Sequence, residues 1–155
     1  MNGRRLGMGG GTVEQWSPFF DRMAYQDHLT RQIEQLGMVL RRLLSGLTGT
    51  DVPEPVHNTL EETRQAIATS LERDPDELFA HPPAELVLHL KDHPAYSEAN
   101  VDLLADLLIA MAAVDPDNAT QLRLQALAVL EHLNATSTTF DMERHARVRK
   151  LRMAG

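Results

Sequence analysis

The stretch AAVDPDNATQLRL, residues 112–124, contains the turn that decides the fold of this chain. An apolar helical pattern runs into Asp115-Pro116, and a second apolar pattern begins within four residues. The residue before a proline is disfavoured in helical geometry, so the first helix must end here. Asp117 or Asn118 can serve as the N-cap of the second helix. The stretch therefore predicts two apolar helices that are joined by a tight turn and pack side by side.

The rest of the 155-residue chain is also typical of a helical protein. Leu, Ala, Arg and Glu are abundant and favour helices, whereas aromatic residues make up only 5%. No window shows the alternation of apolar and polar residues that a half-buried strand requires. We therefore predict an all-α helical bundle. Apolar periodicity, prolines and caps place its helices at about 19–45, 55–73, 76–80, 84–92, 98–114, 117–133 and 139–152.

The start of the chain differs in composition from the remainder. It is rich in glycine and poor in apolar residues, so it has little apolar surface with which to offset the entropy of ordering. We predict a disordered tail over 1–18 and a single all-helical domain over 19–155.

The net charge of −7 is unevenly distributed: residues 51–136 contain sixteen acidic and four basic residues, and both ends are mildly basic. An acidic body argues against a nucleic acid partner. The longest apolar run, Leu107–Val114, has eight residues, far fewer than the ~18 that span a membrane. The absence of cysteine suits a cytoplasmic protein. We expect a cytoplasmic protein that binds neither membranes nor nucleic acid.

The first long helix carries an apolar stripe whose members recur at spacings of three and four residues. These residues are Leu29, Ile33, Leu36, Leu40 and Leu43. The flanking positions lack the charges of a two-stranded coiled coil, so the apolar face is broad. We predict that this face packs in the bundle or forms the interface of a homo-oligomer such as a homodimer. Gly37 lies mid-helix, where glycine is unfavourable, so we expect a neighbour to approach closely there.

One histidine pair has the spacing of a metal site. His89 and His93 are four residues apart and Glu85 lies four before them, so one helical face can present all three side chains. Two imidazoles and a carboxylate can bind a transition metal. Pro94, however, ends the helix directly after His93. We therefore predict no metal or other cofactor, and keep a small-ligand or metal-binding protein as the alternative.

No set of residues predicts catalysis. The carboxylates of Glu61, Glu62, Asp102 and Asp106 are scattered along the chain and are interpreted as solvated helix faces. We therefore expect no enzymatic activity.

The terminal helix is basic, with Arg144, Arg147, Arg149, Lys150 and Arg152. At 100° per residue these cations do not form one patch, as a nucleic acid site would require. We predict that they pair with the acidic body of the same chain or of another subunit.

The quoted turn resembles the junction between tetratricopeptide repeats, in which a helix ends at an aspartate-proline turn before the next repeat begins. Ala126 and Val129 occupy positions where that family has a small and a large apolar residue, and the resemblance covers about 98–152. Gln125 departs from it, because an apolar residue is usual there. The resemblance implies helical hairpins and a protein-binding groove. On the fourth long helix that groove would present Thr120, Arg123, Leu127 and Glu131.

The segment YQDHLTRQIEQLGMVLRRLLSGL, residues 25–47, is similar to the opening helix of a family of short bacterial helical proteins that has no assigned activity. This second resemblance implies an all-helical bacterial protein. With the first, it leads us to expect a module that binds a protein partner or associates with itself.

Overall fold

The computed structural model describes the backbone of residues 4–49 and 56–154 and the side chains of 20–49 and 59–154. The prediction of an all-α fold is confirmed: these ranges contain helices and no strand. The helices are α1 (Arg4–Thr48), α2 (Val56–Ser70), α3 (Pro75–Ala80), α4 (Pro83–Lys91), α5 (Glu98–Val114), α6 (Ala119–Thr136) and α7 (Met142–Ala154). A short 3-10 helix, Pro116–Asn118, connects α5 to α6.

The N-terminal part of the chain differs from the prediction. Helical backbone begins at Arg4, within the segment that the sequence assigned to a disordered tail over 1–18. Once a helix is nucleated, each further residue adds a hydrogen bond at a small entropic cost. By its internal contacts, the chain divides into two units, Met1–Gln32 and Ile33–Gly155. In the first unit, the described side chains are exposed except for Leu29, which is half-buried.

The hydrophobic core lies in the second unit and draws on every α-helix there. From α1 it takes Leu40, Leu43 and Leu47. The largest fully buried side chains in the rest of the unit are Ile67, Leu71, Leu78, Leu86, Leu104, Leu107, Leu108, Met111, Leu122, Leu130 and Gln125. The apolar breadth of α5 and α6 that the sequence displays is explained by this burial, because α6 contacts α3, α4, α5 and α7.

The turn at Asp115-Pro116 has the tight geometry that the sequence predicts. The Asn118 side chain donates to Oδ2 of Asp115 at 2.9 Å rather than capping α6. At the other end of the pair, the Ser137 hydroxyl donates to Oε1 of Glu98 at 2.9 Å. The end of α6 thus lies beside the start of α5, so the two helices are antiparallel.

The buried amide of Gln125 joins α6 to α3. Its Nε2 donates to the Leu78 carbonyl at 3.3 Å, and one turn earlier Nε2 of Gln121 donates to the His81 carbonyl at 2.6 Å. The last carbonyls of a helix have no partner within that helix. The two glutamines therefore complete the end of α3, which explains a polar residue at a fully buried position of α6.

Candidate functional site

The residues predicted to bind a partner lie on the side of α6 that faces the end of α7. Thr120, Arg123 and Leu127 line a cleft of about 70 Å³, which we call the α6–α7 cleft. Its remaining lining consists of Leu124, Leu151 and Ala154. Three of the four predicted residues are thus brought together, and the α7 side chains complete a wall that the sequence pattern did not indicate.

The α6–α7 cleft combines an apolar floor with one cation. Leu127 is partly buried and Leu151 is buried, whereas Leu124 is 46% exposed. Arg123 forms no ion pair with any residue that the structure describes. Small-molecule pockets usually enclose about 300–1,000 Å³. A cleft of this size instead suits the insertion of a single side chain from another protein.

Glu131, the fourth predicted residue, is not part of the cleft. Its carboxylate is bound by the Arg152 guanidinium of α7. This charge is therefore already satisfied within the chain. The sequence could not show this, because the register of α7 against α6 is a property of their packing.

The residues of the predicted self-association stripe differ in how deeply they are buried. Leu40 and Leu43 are only 1% and 3% exposed, so they form core and cannot also form an interface. Ile33 and Leu36 are half-buried, and Leu29 lies in the first unit. A stripe at helical spacing shows which face is apolar but not what covers it. On the opposite face of α1, Met38 is exposed and lines a shallow groove with Gln35, Val39 and Arg42.

The histidines do not form the ligand set of the alternative, metal-binding hypothesis. Oε2 of Glu85 lies 2.9 Å from Nδ1 of His81, a residue that the sequence did not single out. Nδ1 of His93 lies 3.9 Å from Oε2 of Glu72. Among the described residues, no group of three or more His, Asp or Glu side chains is arranged to hold a metal ion.

His89 lies near charges of both signs. Burial lowers its pKa and the charges of Arg73 and His81 lower the pKa further, whereas the carboxylates of Glu85 and Asp92 oppose the shift. The His81 and His89 rings are 6.1 Å apart. The net effect of these surroundings is to favour the neutral form of His89.

The acidic face of α5 binds two arginines of α7. Nη2 of Arg144, a residue only 4% exposed, lies 3.1 Å from Oδ2 of Asp102, and the carboxylates of Glu98 and Asp141 are 3.5 and 3.7 Å away. Arg147 contacts both Asp102 and Asp106. The predicted pairing of these two arginines with the acidic body is confirmed. The interpretation of Asp102 and Asp106 as solvated carboxylates was wrong, because α7 lies against them.

The partial burial of Asp106 disfavours the charged form of its carboxyl group. Burial raises its pKa, and the attraction of Arg147 only partly opposes that effect. Asp102 and Asp106 are four residues apart and the two arginines three apart, so each pair lies on one helical face. That spacing was visible in the sequence, but nothing in it indicated which acidic face α7 would meet.

None of the helices in the described ranges is both long and apolar enough to cross a membrane. No known protein family, curated protein or solved structure matches the chain. A function must therefore be argued from these surfaces.

Proposed function

We propose that this chain is a non-catalytic protein-interaction module that docks a partner at the α6–α7 cleft. The observation that supports the proposal is the convergence of Thr120, Arg123 and Leu127 on one small, largely apolar cleft. These residues were selected from the sequence, by its resemblance to tetratricopeptide repeats. The cleft itself results from the packing of α7 against α6, which that selection did not use.

The chemistry of the cleft defines the partner that would fit it. Binding energy in protein interfaces is concentrated in a few side chains that fill well-packed pockets. An apolar anchor inserted between Leu124, Leu127 and Leu151 would bury its surface there. A carboxylate next to this anchor would meet Arg123, which has no ion pair among the described residues, and this attraction would steer association and fix orientation. The partner is thus a segment with an apolar anchor beside an acidic residue.

We also propose a cellular location and a source for the protein. A cytoplasmic bacterial protein is supported by the similarity of residues 25–47 to a bacterial family and by the absence of cysteine. The proposal that α6 forms part of a protein-binding groove is supported by the resemblance of residues 98–152 to tetratricopeptide repeats.

The test is capture of binding proteins by the tagged full-length chain from a bacterial lysate. We expect Arg123→Glu to lose a protein that the wild type retains, because the reversal repels the partner's carboxylate. Arg149→Glu is the matched control, since Arg149 is exposed on α7 and has no ion pair among the described residues. It should retain the same protein. An identical set of captured proteins with folded Arg123→Glu would contradict the proposal.

A further inference from the structure

α7 is attached to the rest of the second unit through two buried apolar side chains and three arginines. Its buried apolar side chains are Val148 and Leu151. Its other attachments are ion pairs that Arg144 and Arg147 make with α5, and that Arg152 makes with α6. The surface that receives these three arginines consists of Glu98, Asp102, Asp106 and Glu131, and we call it the α7-binding face.

The α7-binding face does not fully satisfy its resident helix. Nε and Nη1 of Arg144 are buried and have no hydrogen-bond acceptor among the described residues. A buried charged group with unmade hydrogen bonds is costly, and ion pairing recovers the cost only when the geometry is complete. The docked state of α7 is thus held less tightly than its number of ion pairs suggests.

The connection to α7 is short and non-helical. The segment between Thr136 and Met142 is non-helical, and the Ser137 hydroxyl is shared between Glu98 and the backbone of Thr139. A terminal helix on such a connection can occupy the same site on a second chain, because identical contacts form in either case.

We propose that α7 is an exchangeable arm that binds the α7-binding face of a second copy of this chain, giving a dimer by exchange. The occupant is a second copy because every chain carries both the acidic face and the basic helix that complements it. Within one chain, the short connection gives α7 a high effective concentration at its own face, so exchange grows with protein concentration. The inference is separate from the proposed function, which concerns the α6–α7 cleft. A partner's α7 would supply the same Leu151 and Ala154 to that cleft.

A mixing experiment with two full-length variants tests the exchange. Arg147→Glu has an intact α7-binding face but an impaired arm, whereas Asp102→Arg has an intact arm but an impaired face. Neither can dock α7 well on itself. Mixed, the arm of the Asp102→Arg chain can bind the face of the Arg147→Glu chain. With one variant isotopically labelled, native mass spectrometry should detect a one-to-one heterodimer that neither variant forms alone.

The matched control replaces Arg147→Glu with Arg149→Glu, which makes the same change of charge at an exposed position of α7. Its own arm still occupies its own face, so the heterodimer with Asp102→Arg should be at least tenfold less abundant. Hydrogen exchange of the α7 amides in each variant shows whether the arm has been released.

Two outcomes would overturn the proposal. If the α7 amides are released in both variants and no heterodimer forms, the face does not accept an arm from another chain. If the amides stay protected, charge does not hold the arm. Should the reversals unfold the chain, Arg147→Gln and Asp102→Asn replace them. Unfolding of this pair too would show that α7 is inseparable from the core. The capture experiment with Arg123→Glu is read independently of all these results.

Discussion

The buried amide of Asn100 lies directly over Gly37. Nδ2 of Asn100 donates to the Ile33 carbonyl at 2.9 Å and to the Ala95 carbonyl at 2.8 Å. A Cβ on Gly37 would lie 2.9 Å from Oδ1 of the same amide, closer than real Cβ contacts come. The sequence predicted a close approach at Gly37, and the structure identifies the approaching group as the first turn of α5.

We expect Gly37→Ala to destabilise the protein, although alanine is the better helix former by about 1 kcal/mol. The added methyl group must displace an amide that is fixed by two hydrogen bonds, and overpacking of this kind costs about 1–3 kcal/mol. The net loss should be about 1 kcal/mol in urea denaturation.

Asn100→Ala provides the control for this prediction. Without the amide, the methyl group has no group to displace, so Gly37→Ala should be neutral or stabilising in that background. The double-mutant cycle would thus show a coupling of about 1 kcal/mol or more. Equal effects of Gly37→Ala in both backgrounds would contradict the account.

Leu40 and Met38 test whether the α1 stripe is core or interface. Leu40 is 1% exposed, and Leu40→Ala should cost about 2–5 kcal/mol because it removes packed apolar volume. Met38 is 66% exposed, so Met38→Ala should change the stability by less than about 0.5 kcal/mol. The measurement is chemical denaturation at several protein concentrations. If the cost of Leu40→Ala depended on concentration, the residue would be stabilising an oligomer instead.

The accuracy of the sequence predictions depends on the sequence distance over which each interaction acts. The α5–α6 turn and the proline-limited helices are local, and their positions were predicted correctly. The α5 aspartates that accept hydrogen bonds from Arg144 and Arg147 are 41 to 45 residues away, and helical spacing does not fix the register between distant helices. For the same reason, helical spacing did not show that Leu40 packs in the core rather than in an interface.

The α6–α7 cleft was predictable only in part. Thr120, Arg123 and Leu127 share one face of α6 because of their spacing, and a resemblance selected that face. Leu151 and Ala154 come from a helix whose docking depends on buried ion pairs, which no local pattern reveals. Likewise, Gln125 looked like a departure from a repeat pattern because its acceptor, the Leu78 carbonyl, is supplied by α3.

Tyr96 should make the stability depend on alkaline pH. Its hydroxyl lies 2.6 Å from Oγ of Ser70, and burial raises its pKa to about 12 from 10.0, with the Ser70 hydrogen bond opposing the shift. The folded state therefore holds this proton more tightly than the unfolded state. The resulting stability is present in full below pH 10 and is lost between about pH 10 and 12, by about 2–3 kcal/mol.

Urea denaturation of wild type and Tyr96→Phe at pH 8 and pH 11 checks this expectation. At pH 8 the variant should be less stable by about 1 kcal/mol, because it lacks the hydrogen bond to Ser70. The difference should shrink or reverse at pH 11, where only the wild type has a phenol at position 96 to ionise. A parallel loss of stability in both proteins would assign the alkaline effect to other groups.

Asp106 and Asp102 should respond oppositely to neutralisation. Burial raises the pKa of Asp106, so ionised Asp106 opposes folding at neutral pH and any benefit of its proton is lost as the pH rises through the folded-state pKa. Asp106→Asn should therefore stabilise the protein at pH 7 by a few tenths of a kcal/mol, since the side chain is 39% exposed and screened by solvent.

Asp102→Asn should instead destabilise the protein by about 1–3 kcal/mol, because Asp102 is shared by the buried Arg144 and by Arg147. Thermal or urea denaturation at a series of pH values below 7 separates the two effects: the advantage of Asp106→Asn should shrink as the pH is lowered, because more of the wild-type carboxyl then binds its proton. A destabilising Asp106→Asn at pH 7 would show that the Arg147 ion pair outweighs the burial of this carboxylate.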